Sequence, residues 1–70
     1  MVVSFTVREQ ELMHLMAQGL RNGPISEAMG ISRKTVENSL LRIYDSLDVA
    51  SDERYDRRVL AVLWTLENLN

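Results

Sequence analysis

The apolar residues of this chain fall into four groups with helical spacing, separated by glycines or short polar stretches. Leu12, Leu15 and Met16 stand at i, i+3 and i+4, a single stripe on a first helix. Thr6 and Glu9 open that helix as a capping box, Thr6 accepting from the Glu9 amide and Glu9 bonding back, and Gly19 ends it. A short second helix is predicted with Asn22 as N-cap, Pro24 in its first turn and Gly30 just past its end. Ile25, Ala28 and Met29 are expected to face inward. Ser32 caps a third helix that ends near Leu47 or Asp48, with Val36, Leu40, Ile43 and Leu47 as its buried face. Residues 48–56 are polar and read as a connection, and a fourth helix is expected over about 55–69. That helix carries Val59, Leu60, Val62, Leu63, Trp64, Leu66 and Leu69, so it is apolar around more than half its circumference. Such breadth implies packing both on its own domain and on something else.

The pattern is that of an all-α, four-helix domain covering 1–70. At 70 residues it buries a limited fraction of its surface and is marginal without a partner or a second copy. The chain has no cysteine, which excludes disulfides and thiolate metal sites and makes a reducing cytoplasm the simplest setting. His14, the single histidine, cannot build a metal site alone and is read as a surface residue. No metal, cofactor or small-molecule ligand is expected. The longest apolar stretch, 59–66, is too short for a bilayer, and residues 1–5 lack the basic flank and cleavage pattern of a signal peptide. No catalytic constellation is visible, so the expectation is a non-enzymatic protein without a membrane partner.

Charge complicates the choice of partner. Eight basic and ten acidic side chains give a net charge of −2, whereas nucleic-acid binders are usually basic. The distribution differs from the sum. Residues 21–42 hold Arg21, Arg33, Lys34 and Arg42 against only Glu27 and Glu37, so the acidity lies in the flanks. That same window, about 22–47, contains two helices joined by Gly30, Ile31 and Ser32. Two helices joined by a short glycine-containing turn are the helix-turn-helix arrangement. Glycine permits the sharp turn, Ile31 fills the angle between the helices, and Ser32 caps the helix that would enter a major groove.

The wider sequence resembles the DNA-binding domain shared by LuxR, GerE and NarL-type regulators. The matching residues are Phe5, Thr6, Arg8 and Glu9, then Leu12, Leu15, Met16, Ala17, Gly19, Leu20, Asn22 and Ile25. They continue through Met29, Gly30, Ile31, Ser32, Lys34, Thr35, Val36, Ile43, Tyr44 and Leu47. A similar hairpin occurs in sigma-factor region four, but Asn22 and the ending Ile43-Tyr44 with Leu47 favour the LuxR group. The resemblance implies a transcriptional regulator that binds double-stranded DNA as a dimer, with helix three in the major groove and helix four as the dimer helix. Arg33, Lys34 and Thr35 would then hold the backbone, while Asn38 and Arg42 read bases; an amide can pair bidentately with adenine, and a guanidinium with guanine. Val59, Leu63, Trp64 and Leu66 would form the homodimer interface.

Each assignment has a plainer counterpart. Arg33 and Lys34 could be a solvated helix terminus, Asn38 a surface amide, Arg42 a partner for Asp45, and Trp64 a core filler. The chain also departs from the family where relatives face DNA. Ser39 replaces a widely shared histidine, Leu41 a polar or basic side chain, Ser46 a lysine and Asp48 a glycine, while Glu37 could accept from cytosine or repel phosphate. A second reading stays open on these residues. It is a module that keeps the fold, binds DNA weakly, and acts on a related regulator protein.

Overall fold

A computed structural model of the chain describes residues 3–49 and 52–69. It has four helices, α1 (Val7–Ala17), α2 (Asn22–Met29), α3 (Arg33–Ser46) and α4 (Arg57–Asn68), and no strand among the described residues. The all-α expectation holds. Of the predicted connection, residues 50 and 51 lie outside the described residues, as do 1 and 2 of the amino-terminal stretch. No described helix is long and apolar enough to cross a membrane.

The helix starts follow from local chemistry. At α1 the Glu9 amide donates to Thr6 Oγ1 at 3.1 Å and the Thr6 amide to Glu9 Oε1 at 2.9 Å, the reciprocal box the sequence predicts. Ser32 Oγ accepts from the Thr35 amide at 3.1 Å and so caps α3. Asp56 caps α4, accepting from the Arg58 amide at 2.8 Å, which places the helix start two residues beyond the expected Tyr55. Tyr55 lacks the short side-chain oxygen that makes a cap, and Asp56 supplies it.

Leu12, Met13, Met16, Ile25, Val36, Leu40, Ile43, Tyr44 and Ala61 are buried together, and Ile31, Leu47, Trp64 and Leu69 pack partly buried against them. α1 packs chiefly on α4, and α2 on α3. Two expectations fail here. Ala28 is exposed rather than inward-facing, because Ile25 and Ser26 take the buried side of so short a helix. Asn22 is not the N-cap of α2: it is the first helical residue, Arg21 precedes it as cap, and no side chain caps the helix. The Asn22 side-chain oxygen is occupied elsewhere, as shown below.

The ends of α2 and α3 share one geometry with different residues. Gly30 stands at φ 68°, its amide reaching the Glu27 carbonyl and the Ile31 amide the Ser26 carbonyl at 3.0 Å. After α3 the residue at positive φ is Asp48, at 55°, with the Asp48 amide on Asp45 and the Val49 amide on Tyr44 at 3.1 Å. Both satisfy orphan carbonyls with a left-handed residue, the position glycine occupies most easily. At Asp48 the backbone strain is joined by a carboxylate at the negative end of the α3 dipole. Asp48→Gly is therefore expected to stabilise the fold by about 0.5–1 kcal/mol, the release of an unfavourable left-handed conformation less the extra freedom of unfolded glycine. Urea unfolding checks this: the midpoint should rise at unchanged slope, and a lower midpoint contradicts the strain argument.

Candidate nucleic-acid interface

With Val36, Leu40 and Ile43 turned to the core, α3 presents its opposite side outward. Lys34, Asn38, Leu41 and Asp45 stand at i, i+4, i+7 and i+11 on that side, and all four are exposed, Leu41 by 54%. Thr35 and Arg42 border the stripe on one edge, Arg33 and Glu37 on the other, all exposed.

The five candidate DNA-binding residues thus fall into three adjoining depressions around one helix. Lys34 and Asn38 share one of about 340 Å³ with Leu41 and Glu37. Thr35 and Arg42 line another of about 320 Å³, which Arg8 of α1 also lines. Arg33 lines a third of about 510 Å³ together with Arg21. Among the described residues the only salt bridge joins Arg54 to Asp52 at 2.9 Å. The alternative pairing of Arg42 with Asp45 is therefore not formed, and Arg33 and Lys34 also carry unpaired charges. The same group of residues includes no cluster of three or more His, Asp or Glu that could hold a metal ion.

Local packing sets where Arg33 lies. A Cβ added at Gly23 would fall 2.7 Å from Arg33 Nη2, so the guanidinium rests against the bare backbone of the first turn of α2. Arg58 of α4, which lines the same depression as Arg33, also holds that first turn. Its Nη1 donates to Asn22 Oδ1 at 2.8 Å and its Nη2 to the Leu20 carbonyl at 2.7 Å. This is why Asn22 does not cap α2. Tyr44 lies in the same corner, with the Arg57 guanidinium 5.1 Å above its ring. Burial pushes the Tyr44 phenol up from its ordinary range, opposed by the nearby charges of Arg58 and Arg57. One arginine thus ties α4 to the entry of the helix-turn-helix unit.

Except in α1, where Glu9 stands in the first turn and His14 in the last, charge placement runs against the helix dipoles. Arg8 is in the first turn of α1, Arg21 precedes α2, Arg33 and Lys34 open α3, and Arg57 and Arg58 open α4. None of α2, α3 and α4 has a basic residue in its last turn. A cation at the positive end of a helix lowers stability by about 0.3–1 kcal/mol, so helix stability does not account for this pattern. Arg57 and Arg58 are compensated by the Tyr44 ring and by Asn22. Arg21, Arg33 and Lys34 have no such compensation, and Arg8 has only Glu9 of its own turn beside it. Helix amino termini with nearby cations favour anions, phosphate among them. Arg8 and Arg21 were not among the sequence-derived candidates; their signal is a basic residue at a helix start, which only packing connects to α3.

The proposed interface residues of α4 divide in two. Val59 and Leu63 are each 53% exposed, and Leu66 is also exposed. Trp64 is half-buried, its ring edge-to-face with Phe5 at 5.4 Å. His14 is exposed, with Nε2 3.0 Å from the Leu69 carbonyl.

A short helix, a left-handed glycine turn and a longer capped helix with a cationic outer face define a helix-turn-helix domain. Residues 3–59 match the family described as bacterial regulatory proteins, luxR family (GerE), and the chain belongs to that family. It is 44% identical over 48 residues to SgaR of Hyphomicrobium methylovorum, described as a probable transcriptional regulatory protein, covering 69% of this chain and 23% of that one. It is 46% identical over 46 residues to YgeK of Escherichia coli (strain K12), described as an uncharacterized response regulatory protein, covering 66% of this chain and 31% of that one. Over 47 residues it is 34% identical to ycf29 of Guillardia theta, a probable transcriptional regulator, covering 67% of this chain and 23% of that one. The match thus spans 23–31% of these relatives' length. No solved structure matches.

The Arg58 tie generates a stability prediction. Hydrogen bonds to charged groups are worth about 1.5–3 kcal/mol, a cation over a ring about 0.5–1 kcal/mol. Arg58→Ala should cost about 2–3 kcal/mol in denaturant unfolding, and Arg57→Ala no more than about 1 kcal/mol. Equal losses would show that the bonds to Asn22 and Leu20 contribute nothing beyond ordinary packing.

Proposed function

We propose that this domain binds double-stranded DNA, with α3 in the major groove, as the DNA-reading part of a transcriptional regulator. The observation that carries this is the outer stripe of α3, where Lys34 and Asn38 stand exposed between unpaired Arg33 and Arg42. Arg33, Lys34 and Thr35 hold phosphate near the amino end of α3, where free amides add to the attraction. Asn38 pairs with adenine, Arg42 with guanine or a neighbouring phosphate, and Leu41 touches a thymine methyl group. Membership of a family of regulatory proteins and similarity to SgaR and ycf29, described as probable transcriptional regulators, support the regulatory setting. The cytoplasm is the compartment that suits DNA binding and a chain without cysteine.

The second reading, a protein-interaction module that acts on a related regulator, has one observation in its favour. Leu41 is 54% exposed at the centre of the stripe, with the carboxylates Glu37 and Asp45 exposed nearby. Both carboxylates repel phosphate and neither can replace a lost cation contact. Duplex binding across a salt series decides between the two. The DNA reading expects affinity that falls steeply with salt, and the interaction reading expects none to measure. Within the DNA reading, Lys34→Ala should weaken all duplexes alike and flatten the log–log salt slope by about one. Asn38→Ala should cost about 1–3 kcal/mol on the preferred site alone. Equal losses on random and selected duplexes for Asn38→Ala contradict its base-reading role.

The homodimer is formed through Val59, Leu63 and Leu66 of α4, with Trp64 at the rim. Covering the exposed parts of the three aliphatic side chains on two copies releases on the order of 5–9 kcal/mol. Association itself costs about 4–15 kcal/mol, so the dimer is weak alone and is completed on DNA half-sites about 34–36 Å apart. Sedimentation should show dimer only at high micromolar concentration and above, and Leu63→Glu should leave a folded monomer. A wild type that stays monomeric at millimolar concentration and binds duplexes one copy at a time excludes this interface.

A further inference from the structure

Two exposed arginines outside α3 stand beside it, and neither is paired with a carboxylate. Arg8 of α1 lines the 320 Å³ depression with Arg42, Thr35, Ser39 and Glu9. Arg21, ahead of α2, lines the 510 Å³ depression with Arg33 and Glu37. On α3, Thr35, Ser39 and Arg42 are spaced i, i+4 and i+7, and Arg33 and Glu37 are spaced i and i+4. The helical repeat puts these sets on opposite edges, so the two depressions flank the outer stripe. A major groove about 12 Å wide is walled by one phosphate backbone on each side, so a helix within it has phosphates along both edges.

We propose that Arg8 with Arg42, and Arg21 with Arg33, form two phosphodiester seats, one on each flank of α3, that take the backbones of the two DNA strands. This rests on the proposed placement of α3 in the groove and extends the grip to residues of α1 and of the segment before α2. A guanidinium presents a planar fork of donors that matches two phosphate oxygens, and a pair of them from different helices fixes the duplex laterally. Hydroxyls of Thr35 and Ser39 line the first seat. One carboxylate opposes each seat, Glu9 the first and Glu37 the second. The arrangement also explains why cations stand at helix starts where the dipole disfavours them.

The test is duplex binding by fluorescence anisotropy over a salt series, for wild type, Arg8→Ala, Arg21→Ala and Lys34→Ala, each verified as folded by thermal unfolding. Arg8→Ala and Arg21→Ala should each flatten the log–log salt slope by about 0.9 per bound copy, to the same extent on random and selected duplexes. Arg8→Lys, which keeps the charge, should restore most of the slope. Arg8→Gln and Arg21→Gln, which keep polar bulk, give the same result should an alanine variant unfold. An unchanged slope for Arg8 and Arg21 variants beside a flattened one for Lys34→Ala overturns the seats and leaves α3 in the groove. Absence of any salt-dependent binding by wild type overturns the placement of α3 as well. Inorganic phosphate, titrated by NMR at constant ionic strength, separates the sources of the anion. Saturation of both seats by phosphate, with duplex affinity untouched by either substitution, assigns them to a free anion and overturns the proposal.

Discussion

Burial of Val36, Leu40 and Ile43 sets the rotation of α3 about its own axis, and that rotation decides every outward residue of the site. Neighbouring residues of a helix are turned by about 100°, so a slip of one position would carry Asn38 off the outer stripe and bring Glu37 or Ser39 into its place. The packing that resists such a slip begins at Gly30 and Ile31. A positive φ at Gly30 turns the chain sharply after α2, and Ile31 lodges partly buried beneath it. Ser32 then starts α3 with its first turn already capped. Arg58 holds the start of α2 through Asn22 and Leu20, so the entry and exit of that short helix are both fixed.

What the sequence made legible was whatever depends on neighbours along the chain. The capping box at Thr6 and Glu9, the Ser32 cap, the turn at Gly30 and the buried stripe of α3 are contacts made within a few positions. What it left hidden depends on residues far apart. Asn22 reads as a cap until Arg58, 36 positions away, takes its side-chain oxygen. Ala28 carries too little apolar surface for its spacing to decide which way it faces. Met13 and Tyr44 lie in the core although neither belongs to the stripes the spacing picks out, because a helix flanked by two others buries more than one narrow stripe. For the site, Arg33, Lys34, Thr35, Asn38 and Arg42 could be named because one helix carries them all. Arg8 and Arg21 join them only through the packing of α1 and α2 against α3.

The net charge of −2 and a cationic face are compatible because electrostatic attraction near a surface is local. Screening at physiological salt confines it to about 8 Å, so the charges nearest the stripe count for more than the sum over the chain. Glu37 and Asp45 are among the nearest. They lower the general attraction to phosphate and leave Asn38 and Arg42 exposed. On the proposed reading, the exposed apolar face of α4 would matter because two weak readers joined on adjacent half-sites gain what neither has alone.

On the proposed reading, the outer stripe of α3 and its two arginine flanks meet the duplex while α4 does not. Amide chemical-shift mapping during titration with a short duplex containing one half-site tests it most directly. The largest shifts are expected at Lys34, Thr35 and Asn38, with secondary shifts at Arg8, Arg21 and Gly23, and small ones at Val59 and Leu63. Shifts centred on Val59 and Leu63, with Lys34 and Asn38 unmoved, would contradict it.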